Sequence, residues 1–320
     1  MIEFFWKLAR RRTGVAFFFL WPLALLPTAL HGGPIFVPNA SFESPTTIFV
    51  TLNLDSWQRT PQPDNWDTNQ SGDWSTLVGF FKNTPVGSFD HIDNCHGNQV
   101  MWLFANPDAG IFQDYDSVDW NDPAPTHNFD AVYEVGYAYQ LTVGILVGGL
   151  GSGGGVTPGA TVEFSLYYRD ANSNRVTVAA MTITNSSSVF SNSTHLLDFT
   201  VTTPVVQPDD LWAGKHIGIL LLSTSPPELM AEGYWDLDNV RLRSIMAPRL
   251  TEPVRTNDEF RFTIQSEPGM VLEVLAHTSA LTPISDWTNL GTITNFTGTI
   301  PFVDTAPDFS QRFYRVRQKP

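Results

Sequence analysis

The chain has 320 residues, of which 42% are hydrophobic and 13% aromatic, and a formal net charge of −14. That length leaves room for about two domains, and so apolar a composition excludes wholesale disorder. The acidity excludes a phosphate backbone as partner, so no nucleic acid is expected.

The first thirty-two residues read as a targeting segment. Lys7, Arg10, Arg11 and Arg12 form a basic head, and Val15 to Leu30 an apolar run of 16 residues. The run is short for a spanning helix of about 20 residues, and Pro22 and Pro27 interrupt it. Residues 1–32 are therefore expected to be a secretory signal peptide. The following "TALHGG" makes a poor cleavage site, which leaves an uncleaved N-terminal anchor open; only then is a membrane a partner. Residues 1–32 hold four of the 18 basic and one of the 32 acidic residues, so the remainder carries −17. Cys95 is the one cysteine, so no intrachain disulfide can form. Export without a disulfide framework points to a secreted or cell-envelope protein of bacteria.

Residues 33–245 read as one β-domain. Val135, Tyr137, Tyr139, Leu141, Val143 and Ile145 alternate with smaller or polar residues, and so do Val162, Phe164, Leu166 and Tyr168. Leu197, Phe199 and Val201 repeat the pattern, as do Ile217, Ile219 and Leu221. Period-two alternation marks strands with one buried side. About eight to ten strands, with no convincing helix, fit an antiparallel jelly-roll β-sandwich. Between Asp55 and Asn128 the pattern loosens into Trp-, Asp-, Asn- and Pro-rich loops, where binding residues commonly sit. "GGLGSGGG", Gly148 to Gly155, lacks the helix and lysine of a phosphate cradle and reads as a flexible loop. Residues 246–253 read as a linker on the strength of two prolines and mixed charge. Residues 254–320 then form a second small β-sandwich, near the lower size limit for independent stability.

The order of several short motifs resembles a known family. "VPNASFESP", "PDNW", "GNQVMW", "GIFQ", "YQLTVGI" and "WDLDNVRL" occur as in the galactose-binding-like jelly rolls of bacterial secreted proteins, many of them carbohydrate-binding modules. The likeness covers roughly residues 34–245. It implies a structural calcium ion where the first and last strands meet, with Glu43 and Asp238 as ligands. The C-terminal part resembles an immunoglobulin- or fibronectin-like module appended to large secreted bacterial proteins. Leu281, Trp287, Leu290, Phe302, Asp304, Arg312, Phe313, Tyr314 and Arg315 carry that resemblance, and no catalytic role follows from it.

Calcium takes six to eight oxygens, mixing carboxylates with carbonyls. Glu43 and Asp238, with backbone oxygens near Ser41 and Asn39, form the expected set, and Asp236 is the rival ligand on the same strand face. The alternative is that both carboxylates accept backbone hydrogen bonds or face water. "DHIDNCH", Asp90 to His96, gathers metal-binding residue types but has no second cluster to complete a site, and reads as a polar loop. A sugar site asks for aromatic faces flanked by polar groups. Trp57, Trp74, Trp120 and Tyr115 lie in suitably polar stretches, whereas Trp66 and Trp102 read as core. Nucleophile-elbow and zinc-protease motifs are missing, and nothing singles out a pair of catalytic carboxylates. The expected function is therefore non-catalytic binding of a polysaccharide or glycan at the cell surface or outside it. A structural or adhesion protein of the envelope and a polysaccharide-active enzyme remain the alternatives.

Overall fold

Alternation makes the core. Tyr137, Tyr139, Leu141, Val143 and Ile145 are all buried, as are Val162, Phe164, Leu166 and Tyr168, and Ile217, Ile219 and Leu221. These side chains fill the space between two antiparallel sheets. The structure is a computed structural model that describes residues 32–148, 155–191, 194–229, 233–256, 259–305 and 311–319. The expected signal peptide or anchor falls almost wholly outside the described residues, as does most of the glycine-rich loop.

In chain order the first twelve strands are β1 (Pro34–Ile35), β2 (Val50–Thr51), β3 (Gln58–Arg59), β4 (Val78–Lys82), β5 (Gln99–Phe104) and β6 (Gly110–Gln113), then β7 (Tyr137–Val147), β8 (Thr161–Arg169), β9 (Arg175–Thr184), β10 (Leu197–Thr202), β11 (Gly218–Ser223) and β12 (Tyr234–Met246). Seven form one sheet, ordered β10-β7-β12-β5-β4-β2, with β1 also paired to β12; five form the other, β3-β6-β11-β8-β9. The sequence predicts eight to ten strands here. The extra ones are the two-residue ladders β1, β2 and β3, too short to show a period. Val135 stands outside β7 and is exposed, so the buried face of that strand begins at Tyr137. Among the described residues the longest α-helix is Thr68–Ser71, four residues. Among the described residues no helix is long and apolar enough to cross a membrane.

The C-terminal part adds β13 (Arg249–Arg255), β14 (Phe260–Gln265), β15 (Met270–His277), β16 (Thr288–Asn295), β17 (Thr299–Asp304) and β18 (Phe313–Gln318). They make two three-stranded sheets, β13-β14-β17 and β16-β15-β18, around Phe262, Ile264, Leu272 and Val274. The protein is thus all-β, an antiparallel sandwich followed by a smaller one. The linker expected at 246–253 is corrected: β12 runs to Met246 and β13 starts at Arg249, leaving Ala247 and Pro248 between them. Pro253 does not break β13, because the register shifts between Thr251 and Val254 and β13 is an edge strand. Glu267 ties the parts together by accepting the N–H groups of Gly32 (2.6 Å) and Met246 (2.8 Å). The motif residues of this part lock one another. Asp304 accepts from Tyr314 Oη at 2.8 Å and pairs with Arg312 at 2.9 Å, while Arg315 lies 4.9 Å over the Trp287 ring.

Candidate ligand-binding groove

The opening and closing segments of the large sandwich meet. Ile35 pairs with Leu242, and the Val240 N–H donates to the Ala40 carbonyl at 2.9 Å. Glu43 and Asp238 consequently reach the same turn, Cys95–Gln99. Glu43 Oε1 accepts the N–H groups of Asn98 (2.8 Å) and Gln99 (2.7 Å). Asp238 Oδ2 accepts from the His96 N–H and Oδ1 from the Asn239 N–H, both at 2.6 Å. A bulge in β12 between Asp238 and Arg241 provides this aim, with Asn239 at φ 55°. Gly97, at φ 101°, is required by the close approach: a Cβ there would stand 2.4 Å from Glu43 Oε1. Burial pushes the Asp238 carboxyl up to about 7 against the opposing effect of its backbone donors, and burial also raises the neighbouring Cys95 thiol.

This arrangement does not suit calcium. Three of the four carboxylate oxygens are filled by amide N–H groups, which point at the lone pairs a cation would need. Ser41 turns its Oγ to His96 Nδ1 at 2.5 Å. Asn39 uses its side chain on its own turn, donating to the carbonyls of Ser44 (2.6 Å) and Asp55 (2.9 Å). Among the described residues no group of three or more His, Cys, Asp or Glu could hold a metal ion. The carboxylates act as a clasp for the 95–99 turn, the alternative named for them above.

The tryptophans exchange roles relative to expectation. Trp57 is 1% exposed, packs on Phe42 and donates its Nε1–H to the Asn39 carbonyl at 3.1 Å. Trp74 is also buried, edge-on to Trp66 at 4.9 Å, with its Nε1–H on the Thr60 carbonyl at 2.8 Å. Neither can meet a ligand without unfolding the core. Trp120 is exposed, and its neighbours Asp119 and Asp122 close a small bridge. Tyr115 is half-buried and sandwiched between His127 (4.1 Å) and His216 (4.2 Å), so both its faces are taken. Neither Trp120 nor Tyr115 lines the groove described next or the concavity beside Asn98. Trp102, expected in the core, instead stands on the outer face of β5, between the inward-facing Met101 and Leu103.

That outer face holds a groove of about 630 Å³. Its aromatic lining comes from Phe81 on β4, Trp102 and Phe104 on β5, Tyr234 on β12, and Phe49 and Phe89 at the rim. Gly79, facing Trp102 across the β4–β5 ladder, lets the indole lie over β4: an added Cβ would meet its Cη2 at 2.2 Å. Asp90 and Ile92 of the "DHIDNCH" segment also line the groove. Ile92 packs with Val100, Leu146 and Leu196 on the outer face. Asn83 holds the Ile92 backbone by both amide atoms (2.9 and 3.0 Å), and Asn94 does the same for Leu196 (2.9 and 2.8 Å).

Asp236 also lines the groove. It is 6% exposed, and its Oδ1 is buried without a hydrogen-bond partner. Burial holds its carboxyl well above the usual carboxylate range, which favours the neutral acid, a hydrogen-bond donor. A buried polar group left unpaired costs about 1–3 kcal/mol and is uncommon in folded proteins. An apolar groove with uncommitted polar groups in its lining, Asp236 and the Thr84 hydroxyl, can orient a ring by its faces and a hydrogen-bonding atom. Sequence reasoning placed Asp236 only as a rival calcium ligand. The available signal was its position two residues from Asp238 in a strand where apolar Trp235 and Leu237 flank it.

No family model matches this chain, and no curated protein matches it. Solved structures do. A cyclase from Fischerella sp. TAU is similar at 22% identity, over 70% of this chain and 100% of that one, with a TM-score of 0.47. The tandem CBM22 domains of Xyn10C from Paenibacillus barcinonensis are similar at 12% identity, over 91% of this chain and 92% of theirs, with a TM-score of 0.37. The C-terminal family 22 carbohydrate-binding module of Xyn10B from Clostridium thermocellum is similar at 8% identity, over 64% and 94%, with a TM-score of 0.29.

Proposed function

We propose that the outer face of the seven-stranded sheet binds a small ring-bearing ligand, its ring against the aromatic lining and one acceptor atom on the Asp236 carboxyl proton. The observation that carries this reading is Asp236 Oδ1, buried and unpartnered in an otherwise largely apolar groove. Aromatic side chains bind flat apolar ring faces, and a neutral buried acid adds direction because its alternative is to stay unsatisfied. A pyranose is the second reading. Lys82, Thr84 and Asp90 stand along the same groove as the aromatic residues, and sugar hydroxyls need such partners. In either case the ligand residues are Trp102, Tyr234 and Asp236 rather than Trp57 and Trp74.

Calorimetric titration with 2-naphthol and, separately, with xylo- and cello-oligosaccharides tests the proposal. Binding of 2-naphthol in the micromolar to millimolar range, about 4–8 kcal/mol, that falls at least tenfold in Trp102→Ala supports it. Saccharide binding alone, with the same Trp102 dependence, replaces it by the second reading. Binding of neither, or binding indifferent to Trp102→Ala, rejects the groove.

A further inference from the structure

The groove has a neighbour. A second concavity of about 750 Å³ lies on the other side of the wall made by Phe49, Lys82, Thr84 and Ile92, and all four residues line both spaces. Its chemistry differs. Asn98, His91 and Asp93 line it with the shared Lys82, beside the aliphatic Ile48, Pro85 and Val86, and no aromatic residue other than Phe49 does. Asn98 binds the Glu43 clasp through its backbone N–H, so its side-chain amide plays no part in that contact. Thr84 Oγ1, in the shared wall, is buried without a hydrogen-bond partner. Each space is of the size that holds a small ligand group.

We infer that the two concavities are halves of one site for an amphipathic ligand: a glycoside whose apolar aglycone occupies the Asp236 groove and whose sugar, with its polar hydroxyls and apolar ring face, occupies the mixed polar and aliphatic space beside Asn98 and Lys82. This rests on the proposed function and narrows its ligand class. An apolar ring alone fills one half and leaves the second half's polar groups in water. A free sugar finds hydrogen-bond partners in the second half but leaves the aromatic groove uncovered. Joined, the two groups bind as one molecule, and the second contact gains from the effective concentration set by the first.

The test compares 2-naphthol, glucose and 2-naphthyl β-D-glucoside by calorimetry on the full chain. The glucoside is expected to bind at least tenfold more tightly than 2-naphthol, and glucose alone weakly or not at all. Val86→Trp puts bulk at an exposed position that lines only the second concavity, so it should return the glucoside to the affinity of 2-naphthol and leave 2-naphthol unchanged. Asn98→Ala keeps the backbone clasp and should lower glucoside affinity alone. Equal affinities for glucoside and 2-naphthol, or equal losses of both in Val86→Trp, overturn the inference while the groove itself stands. Failure of both compounds to bind rejects the groove and the inference together.

Discussion

Replacing Asp236 by leucine should make the protein more stable while weakening its groove. Its Oδ1 is buried with no partner, and the groove around it is lined by Leu146, Trp102, Phe104 and Tyr234. Removing an unsatisfied buried polar group and filling its place with an apolar one of similar size is worth about 1–3 kcal/mol. In a sandwich of this size each kcal/mol moves the melting temperature by about 2–4 °C. The gain also depends on pH, with a definite sign. Burial raises the folded-state pKa of Asp236 above its unfolded value. Below the unfolded value both states are protonated, and only the missing hydrogen bond counts against the wild type. As pH rises past it, the unfolded chain ionises while the folded one resists, and the wild type loses stability that the leucine variant keeps. Thermal melts followed by circular dichroism at pH 4 and pH 8 should therefore show Asp236→Leu ahead at both, by a wider margin at pH 8. The same variant should bind 2-naphthol at least tenfold more weakly. A variant less stable than wild type at pH 8, or a margin that narrows with rising pH, refutes the description of Asp236 as a buried, unpaired acid.

Gly79→Ala should displace the Trp102 indole, since the added Cβ would lie 2.2 Å from Cη2; a cost of about 1–3 kcal/mol and altered tryptophan fluorescence are expected. Glu43→Ala strips the acceptor from two backbone N–H groups and should destabilise by about 1–3 kcal/mol, whereas wild-type melting should not change between excess calcium and a chelator. A calcium-dependent rise in melting temperature would return Glu43 and Asp238 to the role of cation ligands. Trp57→Ala should cost about 3–5 kcal/mol as a core truncation, and Trp120→Ala, at an exposed site, should stay within about 0.5 kcal/mol, with ligand binding intact in the second. Urea titrations of the two variants measure both.

Much of the architecture was legible in residue order. Period-two runs such as Tyr137 to Ile145 and Val162 to Tyr168 declare strands with one face on the core, because a pleated chain turns alternate side chains to opposite faces, though Ala138, Ser165 and Tyr167 on the other face are buried as well. Turn-rich composition excluded long helices. The Glu43 and Asp238 positions marked where the large sandwich's opening and closing segments come together. What the order of residues left open is which face of an apolar strand looks inward. In "QVMWLF" every residue after Gln99 is apolar, so alternation carries no signal, and the assignment of Trp102 to the core was wrong. Pairing decides it: β5 is hydrogen-bonded between β4 and β12, and Met101 and Leu103 turn toward the opposite sheet. Trp57 and Trp74 sit among Asp, Asn and Pro and so read as exposed loop residues. Only tertiary packing reveals that their rings enter the core while their N–H groups find backbone carbonyls. The groove lies deeper still beyond one-dimensional reach. Asp236 is separated by more than a hundred residues from Trp102, and by more than 140 from Phe89. A site made of such distant pieces exists only once the sheet has brought β4, β5, β7 and β12 side by side.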